Sequence, residues 1–452
     1  MTLRVGAGKA CISPTADLFP FAGFAGSDPK VEVHDDLYTR AIVIDNGEKL
    51  AAIVNFDLGM LPPWKEMVEI LQSVMPIEEK YMFFAPTHSH GSPHARPSVK
   101  PAGMDKLMNR NEEQTEKYTA IVFKGLKEAV EKAYATLRPA KYGFGTGESW
   151  INVNRDKQFE DGYWMQDNNY AGYADKTLAV IKFVDEEEKL IAAVLNYACH
   201  AVLTFVGKDA DGKCKVSGDI PGYTEAYVER RFGNDAVVLW TPAAQGNINP
   251  VIGTGVFTYL DDGYGVRTNL PDGTAFILRA SLGGQHAIDS IKVLNSITEY
   301  SDTMDIQADR EIIPLPAQKP PVGADMGYNR LLVDNIIPLG PNGEHPEKKL
   351  VIMEDDPDHP FQMELKMLKL GDIAVLGSSN DIYSEIGRDM KAASPMKNTI
   401  VVVHTNPAIN SYIPDKTAKD HLTFQAYGFV KPGACDELIV DGMLRLFKKF
   451  DL

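Results

Sequence analysis

Five short apolar runs in this chain each stop at a polar loop, and that pattern limits the fold more than any other feature. Tyr81-Met82-Phe83-Phe84 runs into Ala85-Pro86-Thr87-His88-Ser89-His90-Gly91. Leu190 to Cys199 delivers His200, and Val237-Val238-Leu239-Trp240 leads to the stretch from Ala243 to Pro250. Ile373 to Leu376 precedes Gly377-Ser378-Ser379-Asn380-Asp381, and Thr399 to His404 enters Thr405-Asn406-Pro407. Runs this short, bounded by Gly, Pro and Asn, read as buried strands. Open α/β sheets put their binding and chemistry at such strand ends.

Helical spacing of apolar residues predicts helices over 64–75, 112–137, 217–231, 274–295 and 433–450, with another starting near Asp381. Further strands are predicted over 3–8, Leu37 to Asp45, Lys49 to Asp57, Tyr142 to Thr146, Thr177 to Val184 and Gln362 to Lys369. Asn46-Gly47 is a strong hairpin signal between two of them. The alternation predicts an α/β fold of mixed sheets with flanking helices, in a single domain over 1–452. Trp150 to Tyr173 and 251–273 read as long irregular loops, and the Pro- and Gly-rich stretch 314–348 as an excursion or lid. No internal repeat is visible in the sequence.

A net charge of −16 with no Lys/Arg cluster disfavours nucleic acid or an anionic membrane as partner. The chain opens on a strand-like run with no signal-peptide core, and no apolar stretch is long enough to span a bilayer. Cys11, Cys199, Cys214 and Cys435 form no CxxC pair, so reduced thiols and a cytoplasmic location are expected. The expected partner is a small soluble molecule; homo-oligomerisation stays open.

His88 and His90 would share one face if their strand continued, so both imidazoles could converge on one ion. Two histidines fill half a tetrahedral site, and the remaining ligands must come from elsewhere. Taken singly, His88 and His200 read equally well as satisfied buried histidines, Asp381 as a helix N-cap and Tyr412 as a half-buried aromatic. Asp57 reads either as a support for the site or as a cap for the helix that begins near Pro62-Pro63.

Collinear motifs then point further. They are Gly6-Ala7-Gly8-Lys9-Ala10-Cys11-Ile12-Ser13-Pro14, the Gly23 loop, His34-Asp35-Asp36-Leu37-Tyr38-Thr39-Arg40-Ala41, Thr87-His88-Ser89-His90, Asn196-Tyr197-Ala198-Cys199-His200 and Ser217-Gly218-Asp219-Ile220-Pro221-Gly222. Together they resemble the catalytic domain of the neutral/alkaline non-lysosomal ceramidase family. The resemblance implies one zinc ion per chain, held by His88, His200, Asp381 and Tyr412. It makes His90 a catalytic group near the substrate carbonyl rather than a ligand. The family carboxylate is a Glu, so Asp381 is one methylene shorter. The family's serine motif reads Gly246-Asn247-Ile248-Asn249-Pro250 here, which puts Asn249 where the hydroxyl would be. Asn249 is kept as a catalytic candidate that orients substrate. Arg155 and Asn247 are the candidates for substrate binding, and His34, Asp57 and Asp219 for support behind the ligands. The chain ends soon after the tyrosine motif, so no C-terminal immunoglobulin-like domain is expected.

The function expected from this reading is zinc-dependent hydrolysis of an amide-type bond in a small soluble substrate other than ceramide. Zinc accepts these donors and lowers the pKa of a bound water to about 7. The alternatives are a hydrolase of the same fold acting on a lactone, ester or glycoside, and a zinc-retaining protein that binds without catalysis.

Overall fold

The computed structural model describes residues 2–22, 28–98, 111–158, 164–205, 207–253, 255–259, 265–319, 354–405, 411–419 and 423–452. The Gly23 loop and most of the 314–348 stretch lie outside the described residues.

Three sheets carry the architecture, and each is built in the same order. In the first, Arg4–Cys11, Tyr38–Asp45 and Leu50–Phe56 form an antiparallel meander. The helix Trp64–Val74 then crosses over, and Met82–Pro86 adds to the edge in parallel. In the second, Lys141–Glu148, Thr177–Val184 and Leu190–Tyr197 make the meander. Asp219–Phe232 is its crossover helix and Val237–Pro242 its parallel edge strand. The third repeats the plan with Ile306–Leu315, Phe361–Leu370 and Ile373–Ser378, the helix Ser384–Ala393 and the strand Asn398–Val402. Parallel strands need a crossover, and a helix supplies it each time.

Each unit ends in a further helix: Glu112–Ala135, Thr274–Ser296 and Asp436–Lys448. Each of these packs on the first strand of its own unit. In the first two units alternate glycines on that strand let the helix come close. A Cβ at Gly6 would lie 2.0 Å from the Ala133 carbonyl oxygen, and one at Gly145 would lie 2.6 Å from an Ile297 side-chain carbon. No repeat shows in the amino-acid sequence because what repeats is the order of elements.

The units are joined by buried polar seams. Asn55, one residue from the end of the first unit's third strand, donates to the Trp240 carbonyl of the second unit at 3.2 Å. Asn196, at the same place in the second unit, donates to the Val401 carbonyl of the third at 3.0 Å. Arg40 is fully buried in the first unit. It meets Asp57 at 3.0 Å together with Glu225 (2.7 Å) and Glu229 (3.2 Å) from the second unit's crossover helix. One apolar cluster runs through all three sheets, with Phe56 and Phe84 of the first, Val194 and Leu239 of the second and Leu368 and Val402 of the third.

Two expected loops are sheet instead. Asn152–Gln158 and Trp164–Asn169 form an antiparallel pair within 150–173, and Gly255–Tyr259 pairs with Gly265–Asn269 within 251–273. The first pair is mostly polar, with Val153, Trp164 and Met165 its only apolar residues, so no apolar alternation marks it. The helix expected at Asp381 starts at Ser384, and Asp381–Ile382 is a short parallel bridge to Tyr412–Ile413.

Candidate functional site

The third and fourth strands of the units end where the candidate residues sit. Met82–Pro86 is followed by His88, whose backbone is left-handed at φ 59°. The pleat therefore does not continue, and the turn itself brings His90 round to His88. Their Nε2 atoms are 3.2 Å apart. His88 Nδ1 lies 2.7 Å from the Gly59 carbonyl. A carbonyl only accepts, so Nδ1 carries the proton and Nε2 presents a lone pair.

His200 follows Leu190–Tyr197 and repeats this arrangement. Its Nδ1 is 2.9 Å from the Ile248 carbonyl, which again leaves Nε2 as the acceptor. Tyr412 Oη approaches that Nε2 at 3.5 Å. Burial pushes both histidines well below the usual histidine range, so both are neutral.

Asp381 is delivered beside Tyr412 by the short parallel bridge, in which the two residues are directly paired. Its side chain is buried, and among the described residues neither carboxylate oxygen has a hydrogen-bond partner. His200 Nε2 lies 3.3 Å from Oδ2, and His404 Nε2 lies 3.4 Å from the same atom. The His200 contact sets a lone pair against a buried carboxylate oxygen, an arrangement that a shared cation would satisfy. Two groups, His88–His90–His200 and His88–Asp381–His404, each bring one donor atom per residue within 4.8 Å of the others. The residues therefore fit a divalent cation, and the structure brings His88, His200, Asp381 and Tyr412 together.

His404 is the member that sequence reasoning passed over. The sequence reads it as the last residue of a buried strand, although a polar ring closing an apolar run is the signal that marks His88 and His200.

Arg155 closes one side. Its guanidinium sits 5.4 Å from the centre of the Tyr412 ring and donates to Asn249 Oδ1 at 3.1 Å and to the Gly246 carbonyl at 2.6 Å. Asn249 is held in turn by Ile248–Pro250 pairing with Asn152–Asn154. His90 packs edge-on to Phe205 at 5.7 Å, and burial with Arg155 nearby pushes its pKa down to about 3.

The other candidates play different parts. Asn247 is buried with its amide committed at both ends: Nδ2 donates to Glu385 at 2.7 Å, and Oδ1 accepts from the Ser384 amide at 2.9 Å. It ties the loop to a helix start, so its described contacts are structural. Asp57 is taken up by Arg40 and the Tyr38 amide, so it neither caps a helix nor touches the ligands. His34 stacks on Phe276 with ring centres 4.1 Å apart and pairs with Asp35. Among the described residues its contacts are to Phe276, to Asp35 and, through its amide, to the Val216 carbonyl. Asp219 does support the loop: it accepts from the Thr204 amide and hydroxyl, both at 2.7 Å. That hydroxyl packs against Gly91, where a Cβ would meet it at 2.2 Å.

A family model described as "Neutral/alkaline non-lysosomal ceramidase, N-terminal" matches residues 3–254. The chain belongs to this family. The match stops before Asp381, His404 and Tyr412, whose place in the site rests on geometry. Neutral ceramidase of Pseudomonas aeruginosa is 27% identical over 262 residues, which is 55% of this chain and 37% of that protein. The chain thus spans little more than a third of that relative's length. The crystal structure of Pseudomonas aeruginosa neutral ceramidase superposes with a TM-score of 0.72 at 18% identity, covering 99% of this chain and 75% of the other. A ceramidase complexed with C2 gives a TM-score of 0.71 at 16% identity, covering 99% and 76%. The ceramidase fold therefore extends through all three units. No described helix is long and apolar enough to cross a membrane.

Proposed function

We propose that this chain is a zinc-dependent hydrolase acting on an amide-type bond of a small soluble substrate. The observation that carries the reading is the buried Asp381 carboxylate, which has no hydrogen-bond donor among the described residues and lies against the His200 lone pair. His88, His200, Asp381 and Tyr412 would hold the ion. When bound, it supplies Lewis acidity and makes water a competent nucleophile at neutral pH.

The remaining work falls to the chain's own groups. His90 is neutral and lies next to His88, and its imidazole can pass a proton to the departing amine or donate to the developing oxyanion. Arg155 fixes Tyr412 and Asn249 and brings positive charge to the same side. Asn249 offers an amide rather than a hydroxyl, so this position orients substrate and forms no covalent intermediate. That difference supports a substrate other than ceramide.

The test is a panel of N-acyl amides, esters, lactones, glycosides and ceramide, assayed before and after chelation. Chelator-sensitive cleavage of a soluble amide is expected. Ceramide turnover matching an authentic ceramidase overturns the substrate part. Tight ligand binding with no cleavage of any compound overturns the enzymatic part.

A further inference from the structure

We propose that His404 is a further ligand of the ion, so that the site holds metal with three imidazoles and a carboxylate beside Tyr412. This rests on the metal reading above. The repeated order of the units makes His404 the counterpart of His88. Pro86 pairs with the last residue of the first unit's third strand, and Val402 pairs with Gly377 near the end of the third unit's. His88 and His404 each stand two residues beyond that fourth strand, and both are left-handed, at φ 59° and 61°. A left-handed backbone is unusual for a residue other than glycine and tends to persist where function requires it. Here it turns two rings from different sheets face to face, with centres 4.0 Å apart and planes 17° from parallel.

The donor atom is placed for ligation. His404 Nε2 is buried with no hydrogen-bond partner among the described residues, 3.4 Å from Asp381 Oδ2. Two donors that each sit about 2.1 Å from one ion, at a near-tetrahedral angle, lie about 3.4 Å apart. The His200–Asp381 separation of 3.3 Å and the Tyr412–His200 separation of 3.5 Å fit the same spacing. His88, Asp381 and His404 together satisfy the donor proximity of a metal site. The competing role is an N–H donor that only steadies Asp381 from outside the ligand set. That role calls for a hydrogen bond, and among the described residues neither atom makes one.

Cobalt(II) is the probe, because its visible bands report ligand number and type. The metal-free full chain is titrated with cobalt(II) as wild type, His404→Asn and His404→Gln. Asn tolerates the left-handed backbone, which protects the fold, and Gln keeps an N–H that can reach toward Asp381. Melting of the metal-free proteins confirms folding. Removing an outer partner typically weakens metal binding about 10–100-fold. Losing a ligand is expected to weaken it beyond about 100-fold in both variants and to change the cobalt bands. Loss within about 100-fold with unchanged bands overturns the proposal, as does recovery of wild-type affinity and bands by His404→Gln. If the wild type takes up no cobalt, the metal reading itself fails. If the wild type binds and both variants match it, only the role of His404 fails.

Discussion

Asp381→Asn should move stability in opposite directions with and without metal. In the metal-free protein the substitution removes a buried carboxylate that has no hydrogen-bond donor among the described residues and sits 3.3 Å from a neutral imidazole lone pair. Desolvating one such charge costs several kcal/mol. Unfolding entropy of about 2.1 cal/mol/K per residue makes the 452-residue chain worth roughly 0.95 kcal/mol per kelvin. Relieving about 2 kcal/mol therefore raises the metal-free Tm by about 2 °C. The wild type gains in turn from binding: at 1,000 times Kd a ligand adds about 4.1 kcal/mol, or about 4 °C here. Asp381→Asn should lose most of that rise. The assay is differential scanning calorimetry of both proteins, chelated and with added zinc. The reasoning is refuted if chelated Asp381→Asn melts below the chelated wild type while zinc still lifts it by the full amount.

His90→Ala should keep the ion and the fold but lose on the order of 10²–10⁴ in kcat on a cleaved amide, which steady-state kinetics with parallel metal analysis checks. Arg40→Met should cost about 3–5 kcal/mol in urea unfolding, because Asp57, Glu225 and Glu229 lose their shared buried cation. Glu385 should make stability fall with rising pH. Burial, with Asp415 nearby, raises its pKa from 4.5 to about 7, so the folded state holds the proton that the unfolded state has released. The stability it contributes is full below pH 4.5 and is lost as pH rises through 7. Glu385→Gln should flatten that slope, measured as urea midpoints across pH 4–8.

Much of the site was legible because it stands where apolar runs stop. Met82–Pro86 and Leu190–Tyr197 are buried strands, and the polar residues that follow them are His88 and His200. The convergence of His88 and His90 was read from strand alternation, whereas a left-handed turn produces it. Asn152–Gln158 stayed hidden for a physical reason: Asn152, Asn154, Arg155 and Asp156 are buried polar residues held by hydrogen bonds, which periodicity of apolar residues does not report. The same blindness covered Asn247, whose partners Ser384 and Glu385 lie more than a hundred residues away. Ile306–Leu315 escapes the sequence reading because its middle, Asp309-Arg310-Glu311, is charged and faces outward. The threefold order of elements emerges only once strands are paired.

Metal content per chain tests the central claim most directly. Protein purified without added metal, and the same protein reloaded after chelation, is analysed for transition metals beside His88→Ala and His200→Ala. One zinc per chain in the wild type, lost in both variants while they remain folded, is the expected result. Wild-type protein that holds no transition metal and takes up none on reloading would contradict it.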